Sequence, residues 1–288
     1  MAFFGGSRIN TNVGARNAFD ALNKINSQIG QTQLKLATGQ RINSASDDAA
    51  GYTLSTKLDN RSRSLQKASS NIGEAKNILA VAESGYQAIN DILLQVKEKV
   101  LQAGNASYST DERTALQNEV TELGTEIDRI VSETKFNGIQ LLNDSSSGGG
   151  LTSAAFQVGA DTGDSISFTL TADVSSSNLN VSSSSIPTNA TSSAIGASLT
   201  SVDNAIDTVT GDLQKLGSYV NRLDFKEQVV SSAITNLEAA SSRIKDADIA
   251  AEQLESTKLQ ILQQTATTQL SQANAAPQNI LTDRKSVV

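Results

Sequence analysis

Residues 71–103 read NIGEAKNILAVAESGYQAINDILLQVKEKVLQA. Within them Ile72, Ala75, Leu79, Ala82, Tyr86, Ile89, Leu93, Val96, Val100 and Ala103 recur at alternating spacings of three and four without a slip. That spacing places every one of these side chains on a single stripe of a long helix. A second series runs Leu199, Val202, Ile206, Val209, Leu213, Leu216, Val220 and Leu223, skips Glu227, and resumes at Val230, Ile234, Leu237 and Ile244. Two stripes far apart in sequence and separated by polar segments predict a chain that runs out and returns. The expected class is mainly α: a long antiparallel coiled coil or helical bundle, suited to packing against other rods rather than to enclosing a pocket.

Composition narrows the chemistry. Of 288 residues, 38% are hydrophobic and 4% aromatic, and there is no Trp, so bulk for a thick globular core is scarce. The net charge of −7 argues against nucleic-acid and anionic-membrane partners. No stretch of eighteen apolar residues is present to span a bilayer. The opening MAFFGGSR is too short and polar to serve as a secretory signal. Cysteine and histidine are both absent, which removes thiol nucleophiles, thiolate and imidazole metal ligands, Ser-His-Asp triads and the usual near-neutral general base. Catalysis by carboxylates or Lys alone would need a concave site that a thin bundle rarely offers. No catalytic, cofactor-binding or metal-binding residues are therefore assigned, and an enzyme is the least favoured reading.

Around the opening stretch the chain divides into recognisable segments. A first helix is expected over about 12–36, where Ala15, Leu22, Ile29 and Leu36 recur every seven residues, with Ala18 and Ile25 between them and Gly39 as its stop. Residues 40–48 form a polar connector. In it Ser46 is the expected cap of the next helix, with Asp47 and Asp48 complementing the dipole. That helix continues to about 103, and Gly51, Gly73 and Gly85 are read as points of close helix approach. Ser109 and Glu112 resemble a capping box opening a third helix with Leu116, Val120, Leu123, Ile127 and Ile130 as its buried stripe. Asn137-Gly138 is a turn signal, and 145–150 is a flexible linker by composition. Alternation at Phe156/Val158 and Ile166/Phe168/Leu170 predicts a small β-hairpin. Residues 171–193 are read as a Ser/Thr-rich surface loop or a much reduced extra domain. A final helix runs from about 193 toward 275, ending before Pro277. Unbroken, it would measure on the order of 120 Å. After Ile244 its stripe loosens: Ala247, Ala251, Leu254 and Ile261 hold one face, whereas Leu259, Leu262, Ala266 and Leu270 lie off it. A helix apolar on more than one face needs more than one neighbour.

Several short motifs fall in a fixed order: INTN at 9–12, TGQRINSASDDAAG at 38–51, EIDRI at 126–130, FNG at 136–138 and FQVGA at 156–160. Toward the C-terminus come AITNL at 233–237, SRIKDAD at 242–248, ILQQ at 261–264 and QANAAPQNI at 272–280. Together they resemble bacterial flagellin, the subunit of the flagellar filament. The resemblance implies a layered subunit. Residues 1–42 with 245–288 would form an inner coiled-coil domain lining the export channel. Residues 43–170 with 194–244 would form the next domain outward, a helical bundle carrying the hairpin. Residues 171–193 would be a short loop in place of the large outer variable domains of other members. The implied function is polymerisation into an extracellular filament for swimming. The alternatives are a hook–filament junction protein of the same superfamily, or a non-flagellar coiled-coil adhesin or binding module. Implied partners are further copies of the chain, hook-associated and cap proteins, an export chaperone of the flagellar type III apparatus and sister flagellins.

The resemblance also points to particular residues. Leu22, Ile25, Ile29, Leu36, Leu254, Ile261 and Leu262 would carry assembly of the inner helices, which are rich in Asn, Gln, Ser and Thr. A single helix pair of that composition buries too little to offset its ordering entropy, so residues 1–42 and 250–288 are expected to order on assembly. Arg41, Asp47 and Asp48 form either a polar network setting filament geometry or a set of helix caps. An innate immune receptor of the Toll-like family binds many flagellins through an arginine, a leucine and a glutamate. Here those positions carry Gln95, Lys99 and Glu119, so weak or absent recognition is expected. The Ser/Thr-rich stretch 145–200 is either O-glycosylated or an unmodified polar surface, and sequons at Asn105, Asn143, Asn180 and Asn189 are read as chance matches. Glu119, Glu122 and Glu126 are read as a solvated helix face. The end of the chain departs from the family pattern, because Ile280-Leu281 is followed by a charged TDRKSVV.

Overall fold

The computed structural model describes residues 11–143, 151, 154–171, 173–181, 186 and 192–283. The linker expected over 145–150, the sequons at Asn143, Asn180 and Asn189 in whole or part, and the charged tail from residue 284 lie outside them. Among the described residues five helices carry the architecture: α1 (Val13–Thr38), α2 (Ala49–Ala103), α3 (Thr110–Glu133), α4 (Ser192–Lys245) and α5 (Ile249–Asp283). Four short strands, β1 (Lys135–Phe136), β2 (Ile139–Gln140), β3 (Ala155–Gln157) and β4 (Ser165–Ser167), form two antiparallel hairpins. The chain separates into two compact units, residues 1–60 with 237–288 and residues 61–236.

In the larger unit, all ten residues of the opening stripe are buried, none more than 1% exposed. The stripe of α4 is arranged differently from its apolar pattern. Val202, Val209, Leu216, Leu223 and Val230 are buried one heptad apart, but the alternate positions are filled by Ser198, Ala205 and Asp212, while Ile206 and Leu213 are only half-buried. The pattern of large apolar residues thus locates the helix and half of its buried face. The other half is held by small or polar residues, of which Asp212 bonds across the unit as described below.

The capping box of α3 forms as its sequence predicts. Ser109 Oγ accepts from Glu112 N, and Glu112 Oε2 accepts from Ser109 N at 2.7 Å. Beyond α3, Asn137 and Gly138 have φ of 50° and 83°, so the turn signal is the two-residue corner of the β1–β2 hairpin. Positive φ at both central residues matches the right-handed twist of the flanking strands. In the second hairpin Phe156 pairs with Ile166, and Phe168 stacks between Phe156 and Tyr219, with ring centroids 5.1 and 4.9 Å away.

Residues 173–181 and 186 are not a surface loop. Val174, Leu179, Val181 and Ile186 are buried, and Ser176 donates both its N–H and its hydroxyl to Asp128 on α3 at 2.8 Å. Isolated apolar residues among serines carry no period, so periodicity could not reveal this anchoring.

In the smaller unit, α1 opens on Asn12, whose Oδ1 accepts from Ala15 N at 3.0 Å, and closes on Gly39 at φ 69°. Asp48 rather than Ser46 caps α2, since its Oδ1 accepts from Ala50 N and Gly51 N at 3.0 and 2.9 Å. The long helix expected over 193–275 is broken at 246–248. There Asp248 caps α5 in the same way, accepting from Ala250 N and Ala251 N. At that break Arg41 N donates to Lys245 O at 2.7 Å and Ala247 N donates to Gly39 O at 2.9 Å. The connector thus borrows backbone partners from the α4–α5 junction. The helix α5 then continues through Pro277 instead of ending before it.

Candidate assembly surfaces

Helices α1 and α5 lie antiparallel, and polar rungs set their register. Asn12 Nδ2 donates to Ala273 O at 2.6 Å, Gln263 Nε2 to Asn26 Oδ1 at 2.8 Å, and Lys35 Nζ pairs with Glu252 Oε1 at 3.4 Å. The first rung has a local cause. A proline inside a helix has no N–H for the carbonyl four residues earlier. For Pro277 that carbonyl belongs to Ala273, and the Asn12 amide fills the vacancy while its oxygen caps α1. The role of Asn12 is hidden in the sequence because its amide serves a carbonyl 261 residues away while its oxygen caps α1.

Apolar side chains on this pair divide into two sets. Leu22, Ile25, Ile29 and Leu36 on α1 are half-buried, and Leu259 on α5 is buried. Leu254, Ile261 and Leu262 are exposed by 73, 59 and 41%. The seven residues singled out from the sequence are therefore not one face. Those of α1 are already partly covered, and those of α5 are open. Phe19 and Leu34 on α1 are exposed too.

The connector residues also separate. Arg41 reaches across the chain, its guanidinium donating to Ile244 O at 2.8 Å. Asp47 Oδ2 accepts from the N–H groups of Asn43 and Ser44 and from the Ser44 hydroxyl, and these backbone bonds hold its carboxyl below the usual range. Asp48 caps α2. The two aspartates thus shape their own loop, whereas the arginine ties the connector to the end of α4. Nearby, Asp59 accepts from Ser241 Oγ at 2.7 Å and pairs with Lys245 at 3.4 Å.

On the larger unit, Lys99 Nζ lies 2.6 Å from Glu119 Oε2, and Gln95 is exposed beside them on α2. Further along α3, Arg129 binds both Glu126 and Glu133, and this contact lowers the Glu126 carboxyl pKa. Among the described residues no cluster of three metal-ligating side chains occurs.

Two buried polar groups complete the frame. Asp212, 1% exposed, accepts from Thr171 N at 2.9 Å, Lys215 Nζ at 2.8 Å and Tyr86 Oη at 3.4 Å, and burial beside this carboxylate raises the Tyr86 pKa. Arg113 donates from Nε to Ala103 O and from Nη2 to Asn105 O, satisfying carbonyls at the end of α2. Neither residue stands out by spacing, and each is recognisable only once its partners are in place.

The family model for the bacterial flagellin N-terminal helical region matches residues 9–147, and that for the C-terminal helical region matches 199–282. Flagellin FlaB1 of Treponema pallidum is 36% identical over 95% of this chain and 98% of its own length. The flagellin of Bacillus subtilis is also 36% identical, with the same coverage of both chains. The solved structure of a putative flagellar hook-associated protein from Vibrio parahaemolyticus matches at a TM-score of 0.58 and 18% identity. It covers 69% of this chain and all of that one, and it indicates a shared fold alone. The exposed stripes of α5, the paired terminal helices and matches at both ends of the sequence converge: the chain belongs to the bacterial flagellin family, as a structural subunit of the flagellar filament.

Proposed function

We propose that the chain polymerises as a layered subunit whose terminal helices form the inner layer, residues 1–42 with 245–288, and whose remaining residues form the layer outside it. The observation that carries this reading is the open apolar stripe of α5. Leu254, Ile261 and Leu262 lie exposed on a helix whose other side already meets α1. Burying a leucine or isoleucine from solvent stabilises by about 1.5–3 kcal/mol, and in a monomer Leu254 gains little of it while Ile261 and Leu262 gain only part. A copy alongside supplies the missing cover. Leu22, Ile25, Ile29 and Leu36 hold α5 in position, and Arg41 with Asp47 and Asp48 fixes the connector from which both terminal helices depart. The work of such a subunit is mechanical: packed helical rods transmit torque along an extracellular polymer. Its other partners on this reading are hook-associated and cap proteins, an export chaperone and sister flagellins. Seeding purified protein with sheared filaments and imaging by electron microscopy tests this. Growth is expected for the native chain and strongly reduced growth for Leu254→Ser/Ile261→Ser. A double variant that grows normally would overturn it.

Receptor recognition is expected to be weak. An arginine fork offers several donors in one plane, which Gln95 does not reproduce. Lys99 both replaces an apolar contact and engages Glu119 within the chain. The Gln95→Arg/Lys99→Leu variant is expected to gain potency in a reporter-cell assay over the native monomer. Full potency of the native monomer would refute this.

A further inference from the structure

The larger unit carries two exposed faces of opposite charge that each mix apolar and charged side chains. Along the outside of α2, opposite the buried stripe, Ser84, Gln87, Asp91, Leu94, Glu98 and Leu101 follow the same three-and-four spacing, and all are exposed. Leu94 and Leu101 are 45 and 53% exposed. Asp91 and Glu98 alternate with them, and neither joins an ion pair among the described residues. The stripe is therefore leucine and carboxylate in turn, one heptad or about 10.5 Å between like groups.

The second face is an open groove of about 430 Å³ between α4 and the β3–β4 hairpin. Arg222, Phe225, Lys226 and Val229 project along its helical side, again within one heptad, and Ile166 lies on its hairpin side. Phe225 and Val229 are 71 and 61% exposed. Lys226 is 3.9 Å from Asp164, which offsets part of its charge. Arg222 has no carboxylate partner among the described residues, and its guanidinium rests over Tyr219 at 5.7 Å.

We propose that the groove of one copy takes the α2 stripe of a second copy running antiparallel to α4, Leu94 covering Phe225 and Val229 while Glu98 meets Arg222. The two faces are different patches of the same chain, so the contact is head-to-tail and generates an open polymer rather than a closed dimer. Opposite charges across the contact set register and disfavour a slipped alignment. The pairing rests on the filament reading and adds to it which surfaces meet.

Charge exchange tests the pairing. Glu98→Arg and Arg222→Glu each place like charges in every contact, whereas the double variant restores one opposite pair per contact with polarity reversed. The measured quantity is the critical monomer concentration for seeded growth, with thermal unfolding of each monomer as the control. Each single variant is expected to raise it about tenfold or more, and the double variant to return within about threefold of the native value, with unfolding unchanged throughout. Single variants that polymerise like the native chain, or a double variant no better than the singles, would overturn the pairing while leaving the filament reading intact. Failure of the native chain to grow would refute the filament reading and the pairing with it.

Discussion

Replacing Asp212 with alanine should destabilise the larger unit more than any single-atom reading of its surroundings suggests. The carboxylate is buried and serves three donors from three parts of the chain: Tyr86 on α2, Lys215 on α4 and the backbone of Thr171 beyond β4. Lys215 is half-exposed and regains water when the carboxylate goes, so its loss is small. Thr171 N–H loses a charge-assisted bond of about 1.5–3 kcal/mol. Tyr86 Oη loses a long bond but is left buried without an acceptor, at about 1 kcal/mol. The sum is about 3 kcal/mol. For a unit of this size that corresponds to roughly 6–12 °C in the unfolding midpoint. Asp212→Asn keeps an oxygen for Thr171 and should cost about half as much. Tyr86→Phe removes a donor and its need together and should cost about 1 kcal/mol or less. Circular dichroism melts of the three variants check the order. A midpoint for Asp212→Ala within about 2 °C of the native one, or a larger loss for Tyr86→Phe than for Asp212→Ala, would refute the role given to this carboxylate.

Four further outcomes are expected. Gly73 has open space where a Cβ would sit, so Gly73→Ala should stabilise α2 by about 1 kcal/mol. A Cβ at Gly85 would lie 2.8 Å from Leu142 Cδ1 and Thr134 Oγ1, so Gly85→Ala should destabilise by about 1–3 kcal/mol in the same melts. Asn12→Ala removes the cap of α1 and the donor to Ala273 O. It should cost about 1 kcal/mol and speed amide exchange in the first turn of α1 within the polymer. Backbone donation from Ser109 lowers the Glu112 pKa below its ordinary value of about 4.5. Its contribution to the start of α3 is therefore complete above pH 4.5 and is lost as pH falls through the lower, folded value. Carboxyl chemical shifts followed by NMR should show Glu112 titrating at lower pH than an unstructured glutamate.

Much of the fold is legible in the sequence because helices of this kind are dictated by period. The Ile72–Ala103 stripe, the Ser109 capping box and the Gly39 stop each follow from local rules, and each is present in the structure. What the sequence conceals is decided by pairing between distant segments. The break at 246–248 arises where the α1–α2 connector comes alongside, with Gly39 O and Arg41 N finding partners there. Ser46 and Asp48 are equally plausible caps by residue type, and only geometry selects Asp48. The continuation of α5 through Pro277 coincides with Asn12 meeting the carbonyl that proline leaves without a donor. Gly51 and Gly85 are closely approached, but by the connector side chains of Ile42 and Asp48 and by Leu142 and Thr134 rather than by another helix, whereas the space beside Gly73 is open. The apolar residues of the terminal helices are legible as a set, but their division into half-buried α1 and exposed α5 members requires knowing which faces the two helices turn toward each other.

Hydrogen exchange followed by mass spectrometry, on the monomer and on the seeded polymer, addresses the central claim most directly. The claim is that residues 72–103 close a core within one chain, whereas the α5 stripe awaits a neighbouring copy. Peptides from 72–103 should be strongly protected in both states, and peptides from 249–276 weakly protected in the monomer and strongly protected in the polymer. Equal protection of 249–276 in monomer and polymer would contradict it.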